Sequence, residues 1–229
     1  MLSVAIPCRD ETGNIALWKS DLFPELERLG TRYEVLAVDD GSTDGTYAAL
    51  QKFSRGSARL RVLRHAVGLG LGAALKSALR EAHGDWFVPL DADLTFHPRH
   101  IAGLLEAQRS DDADCVSGSP FLGGMRDVPL GRRMPSLALN ALYRALFDRR
   151  LTSYTPMLRL YRTAALRSLD IRSDGFEVSA EILVRLHQAG KKIVEVPVPL
   201  ASRRSGTSKL RRWRELRNHL ALIARLLAG

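Results

Sequence analysis

Short apolar runs alternate with longer amphipathic stretches through the first half of the chain. Leu2 to Pro7, Glu34 to Val38, Leu60 to Leu63, Trp86 to Leu90 and Asp114 to Gly118 read as strands. The runs ending at Val38 and Leu90 have the unbroken apolar, β-branched or aromatic character of strands covered on both faces. Between the strands, helices are expected at about Asn14 to Leu29, Thr46 to Phe53, Leu71 to Ala82 and Pro98 to Gln108. This rhythm predicts an α/β fold with a mostly parallel, Rossmann-like sheet and right-handed crossovers.

The rhythm changes after Ser119. Gly123-Gly124, Pro129, Gly131 and Pro135 mark a loop-rich stretch before a helix expected from Leu137 to Phe147. A strand near Leu158 to Tyr161, a helix from Val178 to Ala189 stopped by Gly190, and a strand from Lys192 to Val196 complete the pattern. A single domain is expected, with residues 1–119 as a nucleotide half, 120–208 as an acceptor half and 209–229 as a basic terminal helix.

A length of 229 residues, 45% of them hydrophobic, supports the core of one large domain. Cys8 and Cys115 lie beside predicted strands in a chain read as lacking a signal peptide, so buried thiols in a cytoplasmic protein are expected. No stretch reaches the ~18 uninterrupted apolar residues of a spanning helix. The formal charge of +9 is uneven, with Arg203, Arg204, Lys209, Arg211, Arg212, Arg214 and Arg217 crowding the carboxy-terminal region. Leu216, Leu220, Ile223, Leu226 and Leu227 follow at helical spacing. The tail is therefore an amphipathic basic helix that either packs its stripe on the domain or lies on an anionic membrane face. No aromatic interleaving or known module accompanies the charge, so nucleic acid is not an expected partner.

The chemistry is concentrated in two acidic clusters, Asp39-Asp40-Gly41-Ser42-Thr43-Asp44 and Asp91-Ala92-Asp93, each directly after an apolar strand. Ligands of open parallel sheets collect outside the carboxyl ends of the strands, so the two clusters are expected to share a site. Asp91 and Asp93 repel one another unless a cation or donor offsets them. Hard carboxylate oxygens suit Mg²⁺ or Mn²⁺, with the remaining ligands supplied by water and substrate phosphates. Such a metal would neutralise a diphosphate leaving group. The six histidines show no zinc-ligand spacing with the cysteines, and no Walker-type loop is present. Gly68, Gly70 and Gly72 read as a tight turn into a helix.

The order of the motifs carries a resemblance. It runs through Ile6-Pro7 with Glu11 and Asn14, Val38-Asp39-Asp40-Gly41-Ser42, Gly68-Leu69-Gly70, and Asp91-Ala92-Asp93-Leu94 with Pro98. It continues through Ser117-Gly118-Ser119, Arg159-Leu160-Tyr161-Arg162, Gly175-Phe176 with Glu181, Glu195-Val196-Pro197, and Arg203 with Gly206-Thr207-Ser208-Lys209. Across nearly its whole length the chain resembles family 2 glycosyltransferases of the GT-A fold, most of all the dolichyl- and polyprenyl-phosphate sugar synthases. The resemblance implies that Pro7, Arg9, Glu11, Val38, Asp39, Asp40 and Ala92 border the nucleotide sugar, GDP-mannose or a UDP-hexose. It implies Asp91 and Asp93 as metal ligands, with Arg132 and Arg203 beside them in the catalytic set. It implies that Arg132, Arg203, Ser208 and Lys209 face the phosphate of a polyprenyl phosphate or another lipid acceptor. A phosphate monoester carries about −1.5 to −2 charge at neutral pH and attacks without a general base. Single displacement with inversion at the anomeric carbon is the expected outcome.

Several positions depart from that pattern. Arg9-Asp10 stands where a Tyr-Asn pair is usual, Thr95 where an amide is frequent, and Pro120 where an arginine is usual. Ser153-Tyr154-Thr155-Pro156-Met157 replaces an Asp-containing segment. A hydroxylated acceptor would require a base, for which Asp174, Glu177 and Glu181 are the nearest carboxylates. A GT-A-fold binding protein that has lost transfer is the alternative from outside enzymology.

Overall fold

Side chains along the central strands alternate between the two faces of one sheet, and each face is covered by its own apolar cluster. Strand β1 (Leu2–Cys8) sends Val4, Ile6 and Cys8 to one cluster and Ala5 to the other, while β2 (Tyr33–Asp40) divides Val35 and Ala37 from Leu36 and Val38. Every residue of β2 is buried, as a strand covered on both faces requires. The computed structural model of the chain describes residues 1–124, 130–199 and 212–228, the side chains of 130–135 and Arg212 excepted.

The remaining strands are β3 (Leu60–His65), β4 (Trp86–Pro89), β5 (Cys115–Ser119), β6 (Arg159–Arg162) and β7 (Ile193–Pro197). They form one seven-stranded sheet in the order β3-β2-β1-β4-β6-β5-β7. β1 pairs in parallel with β2 and β4, β2 with β3, and β5 with β7. β6 is antiparallel to both of its neighbours, Phe87 facing Tyr161 on one side and Val116 facing Leu160 on the other. The sheet is thus mostly parallel, and the second half of the chain adds strands to it.

The helices α1 (Thr12–Leu17), α2 (Phe23–Arg28), α3 (Thr46–Ser54) and α5 (His100–Asp111) pack Ile15, Leu26, Leu50, Ile101 and Leu104 on one face. On the other lie α4 (Leu71–Glu81), α7 (Leu130–Leu146), α8 (Thr163–Arg167), α9 (Val178–Gln188) and α10 (Arg212–Leu227). A short α6 (Pro120–Gly123) follows β5 directly.

Three expectations need correction. The stretch from Asn14 to Leu29 is not one α-helix, because a π-helical turn at Trp18–Leu22 separates α1 from α2. Pro24 has no amide hydrogen for the carbonyl of Ser20, and the Phe23 amide bonds the Trp18 carbonyl instead. The helix expected from Leu137 begins earlier, at Leu130. The stripe expected on the terminal helix is divided: Ile223 and Leu226 are buried together with Leu222 and His219, whereas Leu216, Leu220 and Leu227 are exposed. Spacing alone did not tell the docking face from the apolar positions beside it.

Candidate active site

The register places the two acidic clusters on either side of β1. Cys8 is opposite Asp39, Ala5 is opposite Pro89, and the Leu90 amide donates to the Ala5 carbonyl at 2.9 Å. Neighbouring strands lie roughly 4.8 Å apart, so the carboxyl ends of β2 and β4 flank that of β1 at about twice that spacing. The chain moves from β1 to β2 on one side and later to β4 on the other, which makes this crevice a topological switch point.

Pro7 and Val38 are register partners at the ends of β1 and β2. Beyond them Asp40 is buried and grips the glycine turn before α4. Its Oδ1 accepts from the Leu69 amide and its Oδ2 from the Gly70 amide, both at 2.8 Å, and His65 Nδ1 lies 2.7 Å from Oδ1. His65 Nε2 in turn meets Ser77 Oγ at 2.9 Å. Gly41 has φ +67°, and a Cβ there would lie 2.4 Å from the Gly68 nitrogen, so the two turns touch backbone to backbone. Asp39 has no exposed surface; its Oδ1 accepts from the Ser42 amide at 3.3 Å and its Oδ2 lies 3.5 Å from Arg64 Nε.

Arg9 is half-exposed, with Nη1 3.9 Å from Asp40 Oδ2, and its guanidinium lies where a Cβ on Gly68 would project. Glu11 accepts from Asn14 Nδ2 at 2.5 Å while its amide donates to Thr46 Oγ1 at 2.7 Å. Partial burial pushes the Asp44 carboxyl up, but donors from Thr46 and Thr12 outweigh it and bring Asp44 down to about 2. Burial, with Glu11 and Asp39 nearby, pushes the Cys8 thiol well above its ordinary range, and burial takes Cys115 up to about 12. Both thiols are free and buried, as the sequence predicts.

Across the crevice Asp93 is buried and Asp91 half-buried. Asp93 Oδ1 accepts from the Thr95 amide at 3.0 Å and Thr95 Oγ1 at 2.6 Å, which fixes the plane of the carboxylate. Thr95 therefore orients the Asp93 carboxylate. The Ala92 carbonyl accepts from Trp18 Nε1 at 3.0 Å, so the turn is pinned to the π-helical segment after β1. A carboxylate fixed at Asp93, with that of Asp91 two residues before it, fits a hard divalent cation whose other ligands are phosphate oxygens and water.

In the second half of the chain, two charged groups grip residues 152–154. Glu195 accepts from the Thr152 amide at 2.6 Å and the Ser153 amide at 3.2 Å. The wholly buried Arg159 donates to the carbonyls of Ser153 at 3.1 Å, Tyr154 at 2.8 Å and Ser179 at 2.6 Å, and to Ser117 Oγ at 3.0 Å. Asn140 Oδ1 takes the Tyr154 amide at 2.6 Å. Ser119 Oγ meets Thr152 Oγ1 at 2.6 Å, while Pro120 opens α6.

The three carboxylates nearest as bases for a hydroxylated acceptor each have a partner in the structure. Glu181 is wholly buried and accepts from Arg172, Ser173 and Arg185. Glu177 is buried and bonded to the Gly175 amide and Asn218. Asp174 is exposed and paired with Lys76 at 2.7 Å. Arg132 lies in α7, and Arg203, Ser208 and Lys209 lie outside the described residues. Sequence reasoning missed His65, Thr46 and Thr95 as partners of the site carboxylates. The one available signal was a polar residue two positions from a site aspartate, as with Thr46 after Asp44 and Thr95 after Asp93.

A mostly parallel sheet with acidic residues at its switch point agrees with the GT-A fold, and solved structures share that fold. Glucosyl-3-phosphoglycerate synthase from Mycobacterium tuberculosis, crystallised with Mn²⁺, uridine diphosphate and phosphoglyceric acid, superposes with a TM-score of 0.74 at 22% identity, over 99% of this chain and 78% of that one. The mannosyltransferase PcManGT from Pyrobaculum calidifontis, in complex with GDP-mannose and Mn²⁺, gives 0.67 at 20% identity, over 100% of this chain and 64% of that one.

The chain belongs to glycosyl transferase family 2, whose model matches residues 3–170. It is 35% identical over 185 residues to an undecaprenyl-phosphate mannosyltransferase of Micrococcus luteus, covering 77% of this chain and 75% of that protein. It is 30% identical over 218 residues to a dolichol-phosphate mannosyltransferase of Pyrococcus furiosus, covering 92% of this chain but only 59% of that longer protein.

Proposed function

We propose that this chain is a metal-dependent, inverting hexosyltransferase that moves a hexose, mannose above all, from GDP-mannose or a UDP-hexose to polyprenyl phosphate. The names of both sequence relatives support mannose and a polyprenyl phosphate. The observation that carries the acceptor class is the engagement of Glu177, Glu181 and Glu195 by structural partners. With those carboxylates engaged, the acceptor half suits a nucleophile that arrives already ionised, which a phosphate does and an alcohol does not.

In this reading residues 1–119 hold the donor, residues 120–208 the acceptor, and residues 209–229 the membrane side of a single domain. Pro7, Arg9, Glu11, Val38, Asp39, Asp40 and Ala92 border the nucleotide. Asp91 and Asp93 hold Mg²⁺ or Mn²⁺, which when bound supplies charge neutralisation at the diphosphate. Arg132, Arg203, Ser208 and Lys209 orient the acceptor phosphate, since guanidinium forks match phosphate oxygens. A phosphate oxygen forms its bond to the anomeric carbon as the bond to the diphosphate breaks, with inversion.

No helix among the described residues is long and apolar enough to cross a membrane. Trp213, Leu216, Leu220 and Leu227 are exposed on α10, with Arg214 and Arg217 exposed beside them. This supports peripheral contact with an anionic lipid surface, assigned here to the cytoplasmic face.

The test is transfer from radiolabelled GDP-mannose and UDP-glucose, with Mn²⁺, to a short polyprenyl phosphate and to the matching polyprenol. Product with the phosphate alone is expected. Equal transfer to the alcohol would overturn the acceptor class.

A further inference from the structure

The amino-terminal end of α4 faces the donor crevice without a capping side chain of its own. Its cap residue is Gly70, and the caps are taken instead from a segment about a hundred residues later, where the Asp174 carbonyl accepts from the Gly72 amide at 2.7 Å and the Ala73 amide at 3.4 Å. The approach requires glycine. A Cβ on Gly70 would lie 2.4 Å from the Asp174 carbonyl oxygen, and one on Gly72 2.3 Å from that of Ser173.

That segment is held from behind. Glu181 Oε2 accepts from the Ser173 amide at 2.7 Å, and both Glu181 oxygens accept from the Arg172 amide at 3.2 Å. Arg225, on the terminal helix α10, donates from Nη2 to Ser173 Oγ at 2.9 Å and lies 3.4 Å from Glu181 Oε1. Burial pushes the Glu181 carboxyl up, but the Ser173, Arg185 and Arg172 donors outweigh it and hold it below its usual range. Contacts therefore run without a break from Arg225 through Ser173 and Glu181 to Asp174, the first turn of α4, and the Leu69 and Gly70 amides bonded to Asp40.

We propose that Glu181 and Arg225 are positioning residues for the donor site. They fix residues 172–174, which cap α4 and so hold the Gly68–Gly70 turn against Asp40, and docking of the terminal helix thereby sets affinity for the nucleotide. The link to the nucleotide rests on the donor assignment made above; the mechanical link does not.

The experiment measures amide hydrogen exchange at Leu69, Gly70, Gly72 and Ala73, and binding of Mn²⁺ with GDP and with UDP by calorimetry. The proteins are the wild type, Glu181→Gln, Arg225→Ala, Arg225→Lys, and Leu104→Ala on the opposite face as a control for lost global stability. Arg225→Ala and Glu181→Gln should speed exchange at the four amides about tenfold or more while β2 stays protected. They should weaken the nucleotide that the wild type binds by about 5- to 20-fold, with partial recovery in Arg225→Lys. Should Glu181→Gln fail to fold, Arg225→Ala carries both measurements. Exchange no faster than in Leu104→Ala overturns the mechanical link. Faster exchange with unchanged affinity overturns the link to the nucleotide. A wild type that binds neither nucleotide overturns the donor assignment, and the exchange data still decide the clamp.

Discussion

Glu195 and Arg159 hold the same peptide segment, the carboxylate accepting from the amides of Thr152 and Ser153 and the guanidinium donating to the carbonyls of Ser153 and Tyr154. Ser117 faces both residues in the sheet register, antiparallel to Arg159 and parallel to Glu195. Among the described residues no carboxylate lies within ion-pair distance of Arg159. Its charge is met by the carbonyls of Ser153, Tyr154 and Ser179 and by the Ser117 hydroxyl. Arg159→Met would leave the Ser153 and Tyr154 carbonyls without their donor and should lower unfolding free energy by about 2–4 kcal/mol. Glu195→Gln, which keeps one accepting oxygen, should cost about 1–2 kcal/mol. Urea midpoints measure both, and equal stability of Arg159→Met and the wild type would show that the grip contributes nothing.

Asp93→Ala removes one of two carboxylates proposed for the cation and should reduce transfer by a factor on the order of 10²–10³. Thr95 then loses a partner but the turn keeps its Leu94 to Asp91 backbone bond and its pin to Trp18. The melting temperature should shift by only a few degrees, while calorimetric binding of the nucleotide in Mn²⁺ falls to the level seen with chelator. Full activity in the variant would remove Asp93 from the metal site.

Asp40→Asn leaves one carbonyl oxygen where two oxygens now take two amides and face His65. The unsatisfied donor costs about 1–3 kcal/mol, concentrated in the glycine turn. The expected result is a raised KM for the nucleotide sugar with a smaller change in kcat. Gly41→Ala, which forces a side chain to φ +67° and into the Gly68 nitrogen, should be worse than Asp40→Asn in stability. Thermal melts of the two variants order them.

His219 supplies a pH dependence with a definite sign. Burial lowers its pKa to about 4, and its Nδ1 lies 2.8 Å from the Tyr143 hydroxyl at the docking face of α10. The unfolded chain takes up a proton near pH 6.5 and the folded chain near 4, so stability is full above about 6.5 and falls as the pH drops through that window. The total loss is about 3 kcal/mol once both states are protonated. His219→Gln should flatten the fall in melting temperature between pH 7 and pH 4.5, and an unchanged slope would assign the acid sensitivity elsewhere.

The strands were legible because each is a local run of apolar residues, and β2 shows the two-sided burial that its composition implies. The acidic turns were legible because Asp39-Asp40 and Asp91-Ala92-Asp93 directly follow such runs, and a strand's end fixes where its next residues emerge. Membership of the family was legible in the order of short motifs, and the family model confirms it. The sequence by itself therefore determined the α/β rhythm, the acidic crevice and the family, all of which rest on residues adjacent in the chain or on their order. Only the tertiary structure decided that β6 runs against the sheet, since strand direction depends on which neighbours it meets. It also decided that Asp40 grips the glycine turn, that Glu181 holds the loop at Arg172 and Ser173, and which side of α10 docks. Each of those outcomes is set by hydrogen bonds and packing between segments far apart in the chain, where spacing and propensity carry no information.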